Sequence, residues 1–375
     1  MIFFVVDERH SFGVRYFLED RAGLQRDRFQ ILTPDLLVHD HQFAPGTYVF
    51  ALDNLLPAEH EVFGLMWSQL GQHGPGIRLL NHPRETMGRL ALLQALHASG
   101  RSRVQAVRAT EPIESLRFPV FLREETRHSG NLSPLLHSPG EVRGALRKLA
   151  VRGFHRRELL VVEFCDTADT RGVYRKYSAY IVGDRIIPRC LEFGTEWMIK
   201  HDPFAYNADR IAEELEYVAS NPHDVQLREV FTLARVQYGR VDYALLDGGL
   251  QTWEINLNPT IGRHRPLAED SAEVRQMREL RRDTNDIFYT RFLAAWEALD
   301  THPAAPAEAV AVQVDQRLWL SARAERAAAW RGERHKRAVA WAANQPALAA
   351  LWQLVKPALS LGRTRPTRGR TSVQP

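Results

Sequence analysis

The chain has 375 residues, of which 45% are hydrophobic and 25% charged, and its net charge is +4 at pH 7. This length allows two or three domains with a sizeable core, and the composition is ordinary for a soluble globular protein. Only two cysteines are present, Cys165 and Cys190. This number excludes a disulfide framework and is typical of a reducing compartment, so we expect a cytoplasmic protein.

The sequence contains no membrane signal. No stretch approaches the roughly 20 uninterrupted apolar residues of a membrane helix. The start, MIFFVVDERH, lacks a basic n-region and turns acidic after six residues. It therefore predicts a first strand and not a signal peptide, and we expect no membrane partner.

The positive charge lies in the C-terminal part. Residues 301–375 contain 12 Lys/Arg and 4 Asp/Glu, a net charge of +8, which leaves −4 for residues 1–300. A basic tail of this kind usually indicates solvation or loose attraction to anionic surfaces. We therefore predict no specific nucleic-acid partner.

Residues 1–80 alternate apolar runs with mixed stretches, which is typical of a small α/β unit. Buried strands are predicted at Ile2–Val6, Tyr48–Leu52 and Ile77–Leu80, and the mixed stretch Asp20–Leu37 has room for helices. No glycine-rich phosphate fingerprint follows Val6, so we do not expect a dinucleotide site there.

Residues 81–300 combine helix signals with paired strands. Apolar periodicity predicts helices at Glu85–Ala98, from the capping box at Ser138 to about Val151, and at Ala208–Ala219, Val225–Val236 and Leu267–Leu299. Apolar runs predict strands at Val104–Val107, Phe118–Leu122 and Glu158–Phe164, and a hairpin of Tyr174–Ile181 with Arg185–Leu191.

The stretch Tyr238–Gly262 predicts a second hairpin, because two apolar-rich runs flank the turn signal at Gly248. Folding about this glycine places Asp242 opposite Glu254 and Arg240 opposite Asn256. Side chains alternate faces along a strand, so these four share one polar face. The apolar face is expected to receive Val241, Tyr243, Leu245, Trp253, Ile255 and Leu257.

Two neighbouring carboxylates repel each other, and each resists ionising without a nearby cation. Hard oxygen donors of this kind suit Mg²⁺, whose remaining ligands are usually water and phosphate oxygens. From the spacing alone, an alternative stays open: a hairpin with a solvated polar face and an incidental Arg–Asp pair.

The pattern Arg240-Val-Asp242, followed by Glu254-Ile-Asn256 and Asn258-Pro259, resembles the metal-binding end of the ATP-grasp superfamily. D-alanine–D-alanine ligases and glutathione synthetases share this arrangement. The resemblance implies that Asp242, Glu254 and Asn256 hold two Mg²⁺ ions on the phosphates of ATP. It also implies that Arg240 stabilises an acyl-phosphate and the tetrahedral intermediate.

The resemblance further assigns phosphate-binding roles to Arg89 and Arg123, which stand where the family usually carries lysines. Both changes keep the charge but replace a compact ammonium with a planar guanidinium. A solvated surface position is the alternative for each arginine.

The same resemblance places Glu163, Phe164 and Cys165 at the hinge that reads adenine. Asp166 and Asp169 are alternative ribose ligands. Lys176 alternates to one face of its strand with room to reach the cleft, although a solvent-facing lysine is the commoner case. Lys176 completes the predicted nucleotide-binding set.

The loop after the second hairpin carries Arg263 and Arg265. Pro259 lacks an N–H and ends the strand pairing, so this loop leaves the sheet at the mouth of the metal site. Arginine can hold a carboxylate with two parallel hydrogen bonds, so we predict that both bind a carboxylate-bearing substrate. A turn with solvated charges is the alternative.

The C-terminal part is predicted to be helical and then disordered. Residues 302–310 are a linker, and Leu318–Leu354 is an Ala-rich helical stretch that we expect Gly332 and Pro346 to break in two. Four tryptophans recur every eleven residues, which is about three helical turns, so they form one stripe of core or dimer contacts. These are Trp319, Trp330, Trp341 and Trp352.

The predicted fold class is α+β / α/β, an ATP-grasp fold with an N-terminal α/β pre-domain and a C-terminal helical extension. The predicted function is an ATP- and Mg²⁺-dependent ligase that joins the carboxylate of a small-molecule or peptide substrate to an amine through an acyl-phosphate. A small-molecule kinase on the same fold and a non-catalytic nucleotide-binding protein are the alternatives, and a homodimer stays open. The predicted domains are 1–80, 81–300 (nucleotide lobe about 101–165, metal lobe about 166–300), 301–357 as a helical extension and 358–375 as a disordered basic tail.

Overall fold

The computed structural model describes residues 1–20, 23–39, 42–72, 76–127, 130–199, 206–261, 271–300 and 309–343. Its N-terminal part contains five strands: β1 (Ile2–Val5), β2 (Phe29–Leu32), β3 (Gln42–Phe43), β4 (Gly46–Phe50) and β5 (Ile77–Leu80). A parallel sheet has the order β2-β1-β4-β5. Every residue of β1 and β4 is buried, which explains why both strands are near-continuous apolar runs.

Three helices accompany this sheet: α1 (Phe12–Asp20), α2 (Pro34–His39) and α3 (Pro57–Gly71). The mixed stretch Asp20–Leu37 contains a short 3₁₀ helix (Gly23–Arg28) and the start of α2, but also strand β2, which the sequence pattern did not predict. Strand β2 has only four residues, and periodicity cannot distinguish a strand from a helix over so short a run.

The next lobe contains α4 (Arg89–Ala98), β6 (Ala106–Arg108), β7 (Val120–Glu124), α5 (Pro139–Val151) and β8 (Leu159–Glu163). Its antiparallel sheet has the order β6-β8-β7. Helix α4 begins at Arg89, whereas the sequence predicted a start at Glu85. The reason is that the N–H of Met87 donates to the carbonyl of Ala234 and not to a carbonyl of a preceding helical turn. Arg123 lies within β7, one residue before the end of the strand.

The following lobe contains β9 (Tyr174–Val182), β10 (Arg185–Gly194), α6 (Ala208–Ser220), α7 (Asp224–Ala234), β11 (Tyr238–Leu246) and β12 (Gly249–Asn256). Its four strands form an antiparallel sheet of order β10-β9-β11-β12. Both predicted hairpins are therefore confirmed. Helices α8 (Ala272–Leu280) and α9 (Arg282–Leu299) follow, so the long predicted helical stretch is divided at Arg281.

The last described elements are β13 (Val310–Ala311), which pairs with β3, and the long helix α10 (Gln316–Ala343). Helix α10 continues through Gly332, so the prediction of a break there was wrong. A single glycine costs about 1 kcal/mol relative to alanine, which is too little to interrupt a helix held by contacts on both sides. Pro346 lies outside the described residues.

One apolar core joins the parallel sheet to the β9–β12 sheet and to α9. Trp296 is fully buried in it, with its ring 5.0 Å from that of Phe4 and 5.3 Å from that of Tyr238. A second core fills the other side of the parallel sheet, and Trp319 of α10 lies in it. The predicted mixed α/β fold with a C-terminal helical part is confirmed. Within the described ranges, no helix is both long enough and apolar enough to cross a membrane.

Candidate functional site

The β11–β12 hairpin has the register that the sequence predicted. Arg240 pairs with Asn256, and Asp242 pairs with Glu254. Gly248 at the turn has φ +77, a conformation that favours glycine over other residues. The two carboxylates therefore lie on adjacent strands at the position that the pattern indicated.

A β-bulge modifies this hairpin next to the carboxylate pair. The register shifts after Asp242, so that Tyr243 pairs with Thr252 and Trp253 is the extra residue. Trp253 lines the same cleft as Glu254, so its predicted place on the opposite apolar face was wrong. A bulge lets two successive side chains serve one face, because it interrupts strict alternation.

Glu254 is held by two arginines. Its Oε2 atom accepts a hydrogen bond from Nη2 of Arg123 at 3.0 Å and another from Nη2 of Arg89. The side chains of Arg89 and Arg123 are 5% and 12% exposed, so this is a largely desolvated charge cluster. Burial lowers the pKa of Arg123 to about 10, with the charge of Arg89 acting in the same direction, so Arg123 remains protonated at neutral pH.

Arg89 is fixed by backbone atoms as well as by Glu254. Its Nη1 atom donates to the carbonyl oxygens of Glu124, Glu125 and Arg127, at 2.9, 2.6 and 3.0 Å. Arginine is not favoured in the first turn of a helix, where the dipole is positive. Here the three carbonyls and the carboxylate offset that cost, so the first residue of α4 is directed at the site.

Asp242 is bound on both oxygens by groups of the same sheet. Ser178 donates to its Oδ1 at 2.9 Å, and Arg240 donates to Oδ1 and Oδ2 at 3.0 and 3.3 Å. Burial lowers the pKa of the Arg240 guanidinium, but the charge of Asp242 more than offsets this and leaves the pKa raised. Arg240 is therefore a permanent cation beside the carboxylate pair.

Lys176 lies in the cleft as predicted, where it forms an ion pair with Glu192 at 2.5 Å. Burial lowers its pKa, whereas the charges of Glu192 and Asp242 raise it, and the net shift is upward. Asn256 stands at the end of β12 and accepts a hydrogen bond from the N–H of Asn258 through its side-chain oxygen, at 2.9 Å. The side chain of Asp53, after β4, caps the same turn by accepting from the N–H groups of Leu257 and Asn258.

The cleft lies between the two lobes. One wall comes from β7 and the segment after β8, with Arg123, Phe164 and Cys165, and the other from the β9–β12 sheet. One end is charged and the other is aromatic. The aromatic end is formed by Phe121, Phe164, Trp197 and Trp253, with the Trp197 ring 5.1 Å from that of Phe121 and 5.6 Å from that of Phe164.

Glu163 is placed differently from the other predicted nucleotide ligands. It is 1% exposed, and its carboxylate accepts from the guanidinium of Arg117 at 2.7 Å and from the N–H groups of Arg117 and Gln105. It is absent from the cleft lining that the described residues form, whereas Phe164 and Cys165 are present. Burial raises the pKa of the Cys165 thiol, so this cysteine is not an activated nucleophile.

The two alternative ribose ligands have partners within the protein. Asp169 forms an ion pair with Arg175 at 2.8 Å, and Arg175 lines the cleft. Asp166 accepts from the N–H of Ala168. Arg263 and Arg265 lie outside the described residues.

No family model and no curated protein sequence matches this chain. The structure is similar to those of ATP-grasp ligases.

One similar structure is the D-alanine–D-alanine ligase from Bacillus anthracis, with 15% identity over 78% of this chain and 99% of that chain, and a TM-score of 0.45. Another is the VanG D-Ala:D-Ser ligase from Enterococcus faecalis, with 12% identity over 76% and 99% and a TM-score of 0.42. A RimK domain ATP-grasp protein from Sphaerobacter thermophilus has 14% identity over 77% and 98% and a TM-score of 0.40. Such low scores do not decide the chemistry, which depends on the residues of the site.

The donor set fits a magnesium–phosphate complex better than a free cation. In the part of the chain that the structure describes, no group of three or more His, Cys, Asp or Glu side chains is placed to bind a metal. Asp242, Glu254 and Asn256 supply two carboxylates and one amide, which are oxygen donors of the type that Mg²⁺ prefers. Four cationic side chains surround these oxygen donors: Arg89, Arg123, Arg240 and Lys176. A divalent ion is therefore favoured only when it arrives with anionic phosphate.

Of the aromatic end of the cleft, sequence reasoning predicted only Phe164. It also missed Ser178 as a partner of Asp242. Trp197 belongs to a segment that shows no period, and only its aromatic content could have drawn attention to it. Ser178 shares the alternation of Lys176 along β9, which was a usable signal. Trp253 was missed because nothing in the sequence marks the bulge.

Proposed function

We propose that the protein is an ATP- and Mg²⁺-dependent ligase that joins a carboxylate to an amine through an acyl-phosphate. The observation that carries the proposal is the pairing of Asp242 with Glu254 in one cleft, where the two carboxylates form ion pairs with three guanidinium groups. Oxygen ligands for Mg²⁺ and cations for phosphate are what phosphoryl transfer requires, because its catalysis is mainly positioning and charge stabilisation.

The two ends of the cleft suit the two ends of a nucleotide. The aromatic rings of Phe121, Phe164, Trp197 and Trp253 offer a surface for a flat base. At the other end, four cationic side chains face three carboxylates, those of Asp242, Glu254 and Glu192. These four cations favour a polyphosphate at that end, and bound Mg²⁺ would neutralise the phosphate oxygens.

The protein groups have separable roles in the proposed reaction. Arg89 and Arg123 would hold phosphate oxygens after exchanging part of their contact with Glu254. A carboxylate oxygen of the substrate attacks the γ-phosphorus, the bond from that phosphorus to the β–γ bridging oxygen breaks, and ADP leaves. The amine nitrogen then attacks the acyl carbon, phosphate leaves, and the nitrogen loses a proton to water. Arg240 would stabilise the negative oxygen that develops on that carbon.

The assignment of the acceptor carboxylate to Arg263 and Arg265 is part of the proposal. Thr260 and Ile261, the last described residues before them, are held in place: their carbonyls accept from Tyr180 at 3.2 Å and from Tyr289 at 2.9 Å. The loop therefore starts from a fixed point just after the end of strand β12. That fixed start supports a role for the two arginines at the mouth of the cleft.

The test is ATP turnover against a library of carboxylates and amines, with ADP and phosphate measured separately. Ligase activity requires that ADP and phosphate appear only when an acid and an amine are both present, together with their condensation product. A phosphorylated alcohol would indicate a kinase instead, and tight ATP binding with no turnover under any pair would indicate a non-catalytic protein.

Two variants of the same hairpin sharpen this test. Asp242→Asn should lower turnover by at least about a hundredfold, on the order of the loss for one catalytic electrostatic group. Asp247→Asn is the matched control, because Asp247 lies on the turn with a 67% exposed side chain. Equal activity of both variants would remove Asp242 from the proposed site.

A further inference from the structure

Helix α10 is anchored at its start to the N-terminal sheet. Trp319 and Ala322 are buried in the core on one side of that sheet. Arg326 forms an ion pair with Glu59 of α3, and Glu325 accepts a hydrogen bond from the N–H of Ala58 at 3.0 Å. This half of α10 is therefore held by both apolar and charged contacts.

The later part of α10 contacts a different part of the molecule, the lobe that contains β7 and β8. The ammonium of Lys336 lies 3.0 Å from Glu124, 2.8 Å from Glu158 and 3.2 Å from Glu333. Glu333 also pairs with Arg127 at 2.8 Å. The lysine side chain is only 11% exposed, so this is a built contact and not a passing surface charge.

Close packing accompanies these charges. Lys336 also lies over the ring of Phe154, at 4.9 Å from the centroid. Gly153 has φ +86, and a Cβ atom there would meet the ring of His335 at 3.4 Å. From Trp319 to Lys336 the helix extends about 26 Å at the usual rise per residue, enough to connect two separate parts of the fold.

The residues that α10 contacts are those that hold the site arginines. Glu124 follows Arg123 directly on β7, and its carbonyl accepts from Arg89 at 2.9 Å. The carbonyl of Arg127 accepts from the same Arg89 atom at 3.0 Å. Helix α10 thus contacts the side chains of Glu124 and Arg127, whose backbone fixes Arg89.

We propose that α10 is a strap that ties residues 123–127 to the N-terminal part of the protein, with Lys336 as the positioning residue. The strap sets where Arg89 and Arg123 stand relative to Glu254, and it resists separation of the two walls of the cleft.

Electrostatics explains why one residue has this role. Lys336 is the ammonium shared by three carboxylates, and without it Glu124, Glu158 and Glu333 would repel one another. Glu124 is 7% exposed and would have to lose its charge or move. Loss of the lysine charge therefore favours separation of α10 from the lobe.

The test is amide hydrogen exchange of the full chain with Lys336→Met, which keeps much of the apolar stem. Exchange should become faster at residues 120–127 and 330–343, by at least about tenfold, because three charge-assisted hydrogen bonds are lost. Residues 316–326 and β1 should stay as protected as in the unmodified protein, since their anchor is intact. Arg337→Met is the matched control, because Arg337 is the exposed neighbour, and it should change neither segment.

Two results would overturn the proposal: no change at residues 120–127, or a change confined to residues 330–343, because the helix end would then only rest on the lobe. If Lys336→Met unfolds the chain, Glu333→Gln decides, since it weakens the contact with Arg127 and leaves no deeply buried charge unpaired. It should accelerate exchange of the same two segments, and unchanged exchange would overturn the strap. Lys336→Met should also release nucleotide faster, and this expectation rests on the proposed function. The exchange result is independent of any ligand.

Discussion

Replacement of Glu254 by glutamine should reverse the way the cleft responds to magnesium. Glutamine keeps the shape and one oxygen acceptor but removes the charge that Arg89 and Arg123 share. The net charge of the four cations and three carboxylates at this end of the cleft then becomes one unit more positive. ATP without metal should consequently bind more tightly to the variant than to the unmodified protein.

The expected size follows from Coulomb's law. Two unit charges about 8 Å apart, one on the protein and one on the phosphate, interact by about 2 kcal/mol at an effective dielectric constant near 20. This energy corresponds to roughly thirtyfold in Kd. In Mg²⁺ the sign is opposite, because a metal ligand has been lost, and the variant should bind ATP more weakly than the unmodified protein. Stability should also fall, by about 3 kcal/mol, since two buried guanidiniums lose their shared carboxylate.

The assay is isothermal titration calorimetry with ATP, in Mg²⁺ and in EDTA, with denaturation measured alongside. Glu214→Gln is a suitable control. Glu214 is a buried carboxylate paired with Arg281 and is not part of the described cleft lining. The control should lose stability without changing the response to Mg²⁺. If Glu254→Gln and the unmodified protein show the same ratio of affinities in the two buffers, the metal assignment is wrong.

Three further outcomes are expected. Arg281→Met should lower the free energy of unfolding by about 3–5 kcal/mol, because it leaves the fully buried Glu214 unpaired, and a loss below about 1 kcal/mol in urea denaturation would contradict this. Burial lowers the pKa of His223 from 6.5. The unfolded chain therefore takes up this proton at a higher pH than the folded protein, and the free energy of unfolding falls as the pH drops below that value. His223→Gln should flatten this fall, and an unchanged pH–stability curve would refute the prediction. Arg263→Ala and Arg265→Ala should lower kcat/KM for the acceptor with KM for ATP unchanged, and unaltered acceptor kinetics would make the loop a simple turn.

The β11–β12 hairpin could be predicted from sequence because two local rules agree on it. The glycine turn fixes where the chain reverses, and alternation then assigns each side chain to a face. The predicted pairing of Asp242 with Glu254 is confirmed on this basis. The bulge at Trp253 could not be predicted, since an extra residue leaves no trace in a run that remains apolar and extended.

Glu163 and Lys336 show a different limit. An acid at the end of an apolar strand looks the same whether it faces a ligand or an arginine of the protein itself. Arg117, which holds Glu163, lies 46 positions away. The contact between Lys336 and Glu124 spans 212 positions. Contacts of this kind depend on how whole elements pack, so periodicity and motif spacing carry no information about them.

Arg89 is an intermediate case. A family resemblance pointed to it, although the predicted helix began four residues too early. The structure places it at the first position of α4, where three backbone carbonyls and Glu254 direct its guanidinium. The identity of the residue was therefore accessible from sequence, whereas the reason for its orientation lies in β7 and β12.

The most direct test of the central claim is the affinity of the unmodified protein for ATP, measured by calorimetry with Mg²⁺ and with EDTA. The pairing of Asp242 and Glu254 at the cationic end of the cleft predicts binding that is at least about tenfold tighter in Mg²⁺, a difference of about 1.4 kcal/mol. Absence of ATP binding, or an affinity that does not depend on Mg²⁺, would contradict the account.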